Sequence, residues 1–196
     1  DAARPGGVVW HTQGSGKSLT MVMLAKSLVL APDIPTPKVI LVTDRIDLDN
    51  QICGTFRACG MEPEQANTGE HLVELIMDSK RHVITTLIHK FAAAARNRKL
   101  GGVDRNTFVL VDEGHRSNYA EHHARMKLAL KNACFVAFTG TPLAKDAKRN
   151  TFLQFGALLK PAYTIARAVE DKSVTPLLYE ARHVPQPVDE IGRAHV

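Results

Sequence analysis

Val8-Val9-Trp10-His11-Thr12-Gln13-Gly14-Ser15-Gly16-Lys17-Ser18 is the stretch that decides the fold. A short apolar run enters a glycine-rich turn, Lys-Ser follows, and Leu19-Thr20-Met21-Val22-Met23-Leu24-Ala25 carries apolar residues at helical spacing. Strand, Gly-rich loop and helix in that order make a phosphate cradle. Glycines let backbone N–H groups approach phosphate closely, and a helix N-terminus adds partial positive charge. In such a loop Lys17 reaches the β- and γ-phosphates, and the Ser18 hydroxyl holds Mg2+. His11 departs from the pattern G-x-x-x-x-G-K-[ST], standing where the first glycine belongs. Histidine tolerates strained backbone better than most non-glycine residues, and residues 14–18 are intact.

Working outward, four further apolar runs end in polar residues: 38–43, 81–86, 108–113 and 134–140, besides 7–10. They are rich in Val and Ile and do not alternate, as expected of strands buried on both faces of a parallel sheet. Helical segments are expected between them at about 17–30, 46–57, 70–79, 87–96 and 119–131. Strands alternating with helices argue for a parallel α/β sheet. Ligands of such sheets bind beyond the carboxyl ends of the strands. Here those ends carry the Gly-rich loop, Thr43-Asp44-Arg45, Thr85-Thr86, Asp112-Glu113 and Thr139-Gly140-Thr141, which gather on one edge. Residues 143–162 read as irregular and basic in places, 163–170 as a short helix and 175–182 as a late strand.

Composition sets the bounds. At 196 residues the chain fits one ordinary domain, or one with an extension. Hydrophobic residues at 44% and charged residues at 23% are those of an ordinary globular protein. A net charge of +5 permits a polyanionic partner without requiring one. Cys53, Cys59 and Cys134 form no C-x-x-C and read as reduced thiols of a cytoplasmic protein. No apolar run approaches the ~20 residues of a membrane span. The chain begins with Asp1, close to its first strand, as a piece of a longer protein would.

Two other strand ends carry chemistry. Asp112 and Glu113 are adjacent carboxylates delivered by a buried run. Asp112 suits a Mg2+ ligand and Glu113 a group that orients or deprotonates water. A lone Asp-Glu also suits a solvated helix start, and the phosphate loop on another strand tips the balance. Phe138-Thr139-Gly140-Thr141-Pro142 alone is a strand-to-turn exit; beside the other two motifs it matches a coupling segment.

The stretches at 11–18, Thr43-Asp44-Arg45-Ile46-Asp47-Leu48-Asp49, Asp112-Glu113-Gly114-His115-Arg116-Ser117 and Phe138-Thr139-Gly140-Thr141-Pro142-Leu143 resemble superfamily 2 helicase motifs I, Ia, II and III. More narrowly, the first two and Tyr163-Thr164-Ile165-Ala166-Arg167-Ala168-Val169-Glu170-Asp171 resemble the motor (R) subunit of type I restriction–modification enzymes. The resemblance implies a three-layer RecA-like P-loop NTPase domain with a mostly parallel central sheet. It further implies an ATP-driven translocase on double-stranded DNA, using ATP and Mg2+. Residues 1–142 would be the first motor domain, and 143–196 its remainder and the link toward a second motor domain. A nuclease domain would lie upstream, and methyltransferase and specificity subunits would be partners through other parts of the chain. Alone, the chain would bind ATP and scarcely hydrolyse it.

Carried onto these residues, Gly14, Ser15 and Gly16 donate backbone N–H groups. Lys17, Asp112 and Glu113 are catalytic, Ser18 and Asp112 hold the metal, and His115, Thr139 and Thr141 couple nucleotide state to DNA grip. Arg45, Thr86 and Lys90 are candidates for sequence-neutral DNA phosphate contacts. Gly114 replaces a more usual Ala. Rival readings are another superfamily 2 motor, for example a DEAH-type RNA helicase or a chromatin-type translocase, a P-loop kinase or nucleotide-binding regulator, and a nucleic-acid-binding module with a vestigial nucleotide site. His122 and His123 lack H-E-x-x-H spacing and read as no metal site.

Overall fold

Alternate residues of the buried strands feed two different cores. Val39, Leu41, Phe108, Leu110, Val136 and Phe138 pack with Met21, Val22, Ala25, Ile52 and Phe56. Their sequence neighbours Ile40, Val42, Val109, Val111, Phe135 and Ala137 pack with Leu72, Ile76, Phe91, Met126, Leu130 and Phe155. A strand with two apolar faces has no polar side to show, which is why these runs read as continuous.

The computed structural model describes residues 4–96, 100, 105–112, 119–142 and 150–176. Its strands are β1 (Gly7–His11), β2 (Lys38–Thr43), β3 (Glu64–Gln65), β4 (Val83–Leu87), β5 (Thr107–Asp112), β6 (Cys134–Thr139) and β7 (Leu158–Tyr163). They form one sheet in the order β3-β4-β2-β5-β6-β1-β7, with every pairing parallel. Helices α1 (Lys17–Leu30) and α2 (Ile46–Ala58) supply one core. Helices α3 (Gly69–Met77), α4 (Phe91–Ala94), α5 (Tyr119–Ala129) and α6 (Thr151–Phe155) supply the other, and α7 (Ile165–Glu170) follows β7. The three layers and parallel sheet expected from the sequence are present.

Several local expectations need correction. The helix expected over 87–96 is a 3-10 turn, Ile88–Lys90, followed by the single turn α4. The segment packs closely on α3: a Cβ on Gly69, at the start of that helix, would come within 2.5 Å of the Ala93 Cβ and 2.9 Å of the Lys90 carbonyl oxygen. The stretch 143–162 is not wholly irregular, since it contains α6 and most of β7. Asn150 starts α6 by accepting from the N–H groups of Phe152 (2.9 Å) and Leu153 (3.2 Å). The helix expected over 163–170 begins at Ile165, because Tyr163 belongs to β7. The late strand expected at 175–182 lies, from residue 177, outside the described residues.

One buried cation holds the second core to the sheet. Lys38, at the start of β2, donates to the carbonyls of Leu75 (3.0 Å), Ile76 and Asp78 (2.7 Å). The last turn of α3 has no basic residue of its own, so β2 supplies the positive charge favoured at a helix C-terminus. Burial pulls the Lys38 ammonium below the usual lysine value, against the charge of Asp78.

His123 of α5 is 4% exposed and packs against Phe155, 4.4 Å between centroids. Burial, with the Lys127 charge, lowers its pKa from 6.5 to about 4. A value depressed by folding means that the unfolded chain binds the proton first. The associated stability is complete above pH 6.5 and is lost as pH falls toward about 4. The loss should amount to about 3 kcal/mol. Urea unfolding across this window should show the slope, and His123→Leu should flatten it; an unchanged slope would contradict the assignment.

Candidate active site

The phosphate loop runs from the end of β1 into α1, and its shape depends on two left-handed glycines. Gly14 has φ 80° and Gly16 has φ 97°, conformations that cost a side-chain-bearing residue about 1 kcal/mol or more. A Cβ on Gly16 would meet nothing within 4 Å, so the backbone there faces open space. Helix α1 has no side-chain cap and no acidic residue in its first turn. A helix start left in this way is suited to an anion.

The sheet order brings the other motifs to the loop. Strand β6 lies between β5 and β1. Phe138 of β6 is level with Asp112 on one side and Val9 on the other. Asp112 thus ends beside the loop, and its Oδ1 lies 2.7 Å from Lys17 Nζ, with side-chain exposures of 5% and 11%. Thr139 is fully buried, and its hydroxyl accepts from the Thr141 N–H at 3.1 Å. Gly140 packs on the loop itself: a Cβ there would lie 3.1 Å from the Gln13 nitrogen and 3.4 Å from the His11 carbonyl oxygen. The Trp10 indole N–H donates to the Gly140 carbonyl at 3.1 Å. Glu113 and His115 lie outside the described residues.

A cavity of about 480 Å3 opens over this assembly. Gln13, Gly14, Gly16, Lys17, Ser18 and Asp112 line one side, and Arg45, Leu48, Gln51 and Thr55 line the other. The wall from α2 was not foreseen, because nothing in its polar residues marks them as facing a loop so distant in sequence. Arg45, named for a DNA track, therefore borders the phosphate loop's own cavity. Lys90 donates to the Ala66 carbonyl. Thr86 is corrected: it is fully buried within β4, with its hydroxyl directed to the Leu87 carbonyl at 3.4 Å, and offers nothing to a polyanion.

These residues fit a nucleoside triphosphate with its metal. A cation already lies on Asp112, the helix start carries no competing carboxylate, and the glycines leave the loop backbone uncovered. Ser15 shapes the loop through its side chain as well, donating to the Thr12 carbonyl at 2.5 Å. His11, in place of the first glycine, lies 3.1 Å from Ser15 Oγ through Nδ1 and 3.2 Å from Thr20 Oγ1 through Nε2.

A phosphate loop and a cation–carboxylate pair at the carboxyl edge of a parallel sheet define a P-loop nucleotide-hydrolysing domain. The family model described as SWI2/SNF2 ATPase matches residues 1–193, and the chain belongs to that family. It is 38% identical over 181 residues to a putative type I restriction enzyme endonuclease subunit, MjaIXP, of Methanocaldococcus jannaschii, covering 91% of this chain and 17% of that relative. It is 34% identical over 193 residues to the type I restriction enzyme HindI endonuclease subunit of Haemophilus influenzae, covering 89% of this chain and 18% of that relative. The chain thus spans under a fifth of the length of these curated relatives. A nuclease-deletion mutant of the Type ISP restriction-modification enzyme LlaGI, solved with a DNA substrate mimic, shares the fold. Its TM-score is 0.64 at 15% identity, over 87% of this chain and 19% of that one. The resemblance read from the motifs to type I R subunits is found in these relatives.

Gly140 offers a test of the packing between β6 and the loop. Gly140→Ala should cost about 1–3 kcal/mol, the range for forcing a methyl into a filled site. Urea unfolding of the variant beside the unchanged chain measures it, and equal midpoints would show that the contact is slack.

Proposed function

We propose that this chain is the ATP-binding half of a DNA motor within a type I restriction endonuclease R subunit, coupling ATP hydrolysis to movement along double-stranded DNA. The observation that carries the reading is the Lys17–Asp112 pair, 2.7 Å apart, in a cavity shared with the phosphate loop. Gly14, Ser15 and Gly16 would hold phosphate through backbone N–H groups, with Lys17 reaching the β- and γ-phosphates. Ser18 and Asp112 would hold Mg2+, which neutralises phosphate charge in the transition state when bound. Glu113 would orient or deprotonate the attacking water.

The rest of the motor belongs to the wider reading. A second motor domain would complete the ATP site, and His115, Thr139 and Thr141 would pass the nucleotide state to the DNA grip. An upstream nuclease domain and the methyltransferase and specificity subunits would act through other parts of a longer protein. The close packing of Gly140 on the loop supports a coupling role for the Thr139–Thr141 turn. Cys53, Cys59 and Cys134 carry free thiols, and no described helix is long and apolar enough to cross a membrane. The free thiols accord with the proposed cytoplasmic setting.

Titration calorimetry should show ATP–Mg binding that Lys17→Ala weakens by about tenfold or more, the value of a charge-assisted hydrogen bond. Undiminished binding by that variant would overturn the nucleotide assignment. Hydrolysis by the chain alone should be slow, since an arginine supplied from another domain contributes roughly 10³ to 10⁵ in comparable phosphoryl transfers. Fast DNA-stimulated hydrolysis by these 196 residues would overturn the half-site reading.

Arg45 and Lys90 remain the proposed contacts to DNA phosphate. Arg45→Ala and Lys90→Ala should each weaken duplex binding alike across sequences and lower the salt-dependence slope by about 1. Fluorescence anisotropy over a salt series checks this, and an unaltered slope in both variants places the track elsewhere.

A further inference from the structure

Tyr163, the last residue of β7, grips the phosphate loop from the edge of the sheet. Its carbonyl accepts from both the N–H of Thr12, at 2.9 Å, and the Thr12 hydroxyl, at 2.8 Å. Its ring lies against the His11 imidazole, 5.0 Å between centroids at 41°. Its own hydroxyl is 2.9 Å from Ser173 Oγ. Val174, next along, has its Cγ1 3.9 Å from where a Cβ on Gly14 would stand. The β1–β7 register shifts to make this possible: Val9 pairs with Leu159, yet His11 pairs with Tyr163. Extra residues on one strand of a pair re-aim the side chain that follows.

His11 carries the grip into the loop. Ser15 spends its single hydroxyl proton on the Thr12 carbonyl at 2.5 Å, so toward His11 it acts as acceptor. That places a proton on Nδ1 of the imidazole and, in the neutral ring, leaves Nε2 to accept from the Thr20 hydroxyl at 3.2 Å. The ring therefore ties the end of β1 to the loop and to the first turns of α1. A glycine at this position would offer none of these contacts. A loop with two left-handed glycines has many competing conformations, and its N–H groups serve an anion best when they are held in place beforehand.

We infer that Tyr163 is a positioning residue for the phosphate loop, acting through His11 and Thr12, and that residues 163–174 register whether the loop is occupied. The inference rests on the nucleotide reading above. An anion that draws in the N–H groups of the loop shifts Thr12 and His11. Tyr163 holds both, and the turn at Ser173 and Val174 bonds Tyr163 through Ser173 and sets Val174 beside Gly14 of the loop. Occupancy is thus relayed to a segment remote in sequence from the phosphate loop.

The test is amide hydrogen exchange of the unmodified chain with and without a non-hydrolysable ATP analogue and Mg2+. Exchange should slow at residues 12–18 and, in step, at 163–174, and at an analogue concentration that half-saturates the unmodified chain Lys17→Ala should diminish both effects together. Tyr163→Ala, which keeps the carbonyl bonds to Thr12 and removes the ring against His11, and His11→Gly should each weaken analogue affinity roughly threefold to tenfold, the worth of about one ring contact or one hydrogen bond. The double variant should fall no further than the worse single one, because the two act in series. The single tryptophan, Trp10, beside His11, reports binding by its fluorescence. Tyr163→Phe keeps ring and carbonyl and should stay within about twofold. Slowed exchange at 12–18 with no change at 163–174 overturns the inference and leaves the nucleotide reading standing, as do losses that multiply in the double variant. No binding by the unmodified chain overturns both.

Discussion

Three parallel strands in fixed register, β5, β6 and β1, set the terms for everything else in the molecule. Because all three run the same way, their carboxyl ends fall on one edge. Because Phe138 pairs level with both Asp112 and Val9, the carboxylate and the phosphate loop end side by side. The Lys17–Asp112 pair at 2.7 Å follows from that register. A slip of one residue in either pairing would turn Asp112 to the opposite face of the sheet, away from α1.

The pair itself is better suited to exchange than to stability. Ion pairs taken partly out of water gain little net free energy over apolar packing, since desolvation offsets the attraction. What the arrangement provides is a carboxylate that already holds a cation and a lysine within reach of a glycine loop. Around it the fold is fixed by apolar burial on both faces and by devices such as Lys38, which brings charge from β2 to the carbonyl end of α3. Rigid strands thus carry a loop that is itself made adaptable by Gly14 and Gly16. The loop is steadied from the side, where Tyr163 and Thr12 meet.

Much of this was legible in the sequence because the signals were local. The Gly-Ser-Gly-Lys-Ser run, the Val/Ile strands and the carboxylate at Asp112 each announce themselves within a few residues. What stayed hidden depends on distant neighbours. Leu158-Leu159-Lys160-Pro161-Ala162-Tyr163 contains a proline, which argues against a central strand, and it is a strand because β1 offers it an edge. The short α4 packs closely on Gly69 of α3, a contact between distant residues that no propensity encodes. Thr86 looked like a polar strand end available to DNA, yet β4 is covered at that point, so its hydroxyl is spent inside the sheet. Arg45 was legible as a cation at a strand end; that it borders the phosphate loop's cavity follows only from how α2 packs beside α1.

The most direct test of the central claim is a crystal structure of this chain grown with a non-hydrolysable ATP analogue and Mg2+. In that structure a triphosphate should lie over residues 14–18, with Lys17 turned from Asp112 toward phosphate and a metal held by Ser18 and Asp112. A structure with the analogue bound elsewhere, and Lys17 still closed on Asp112, would contradict it.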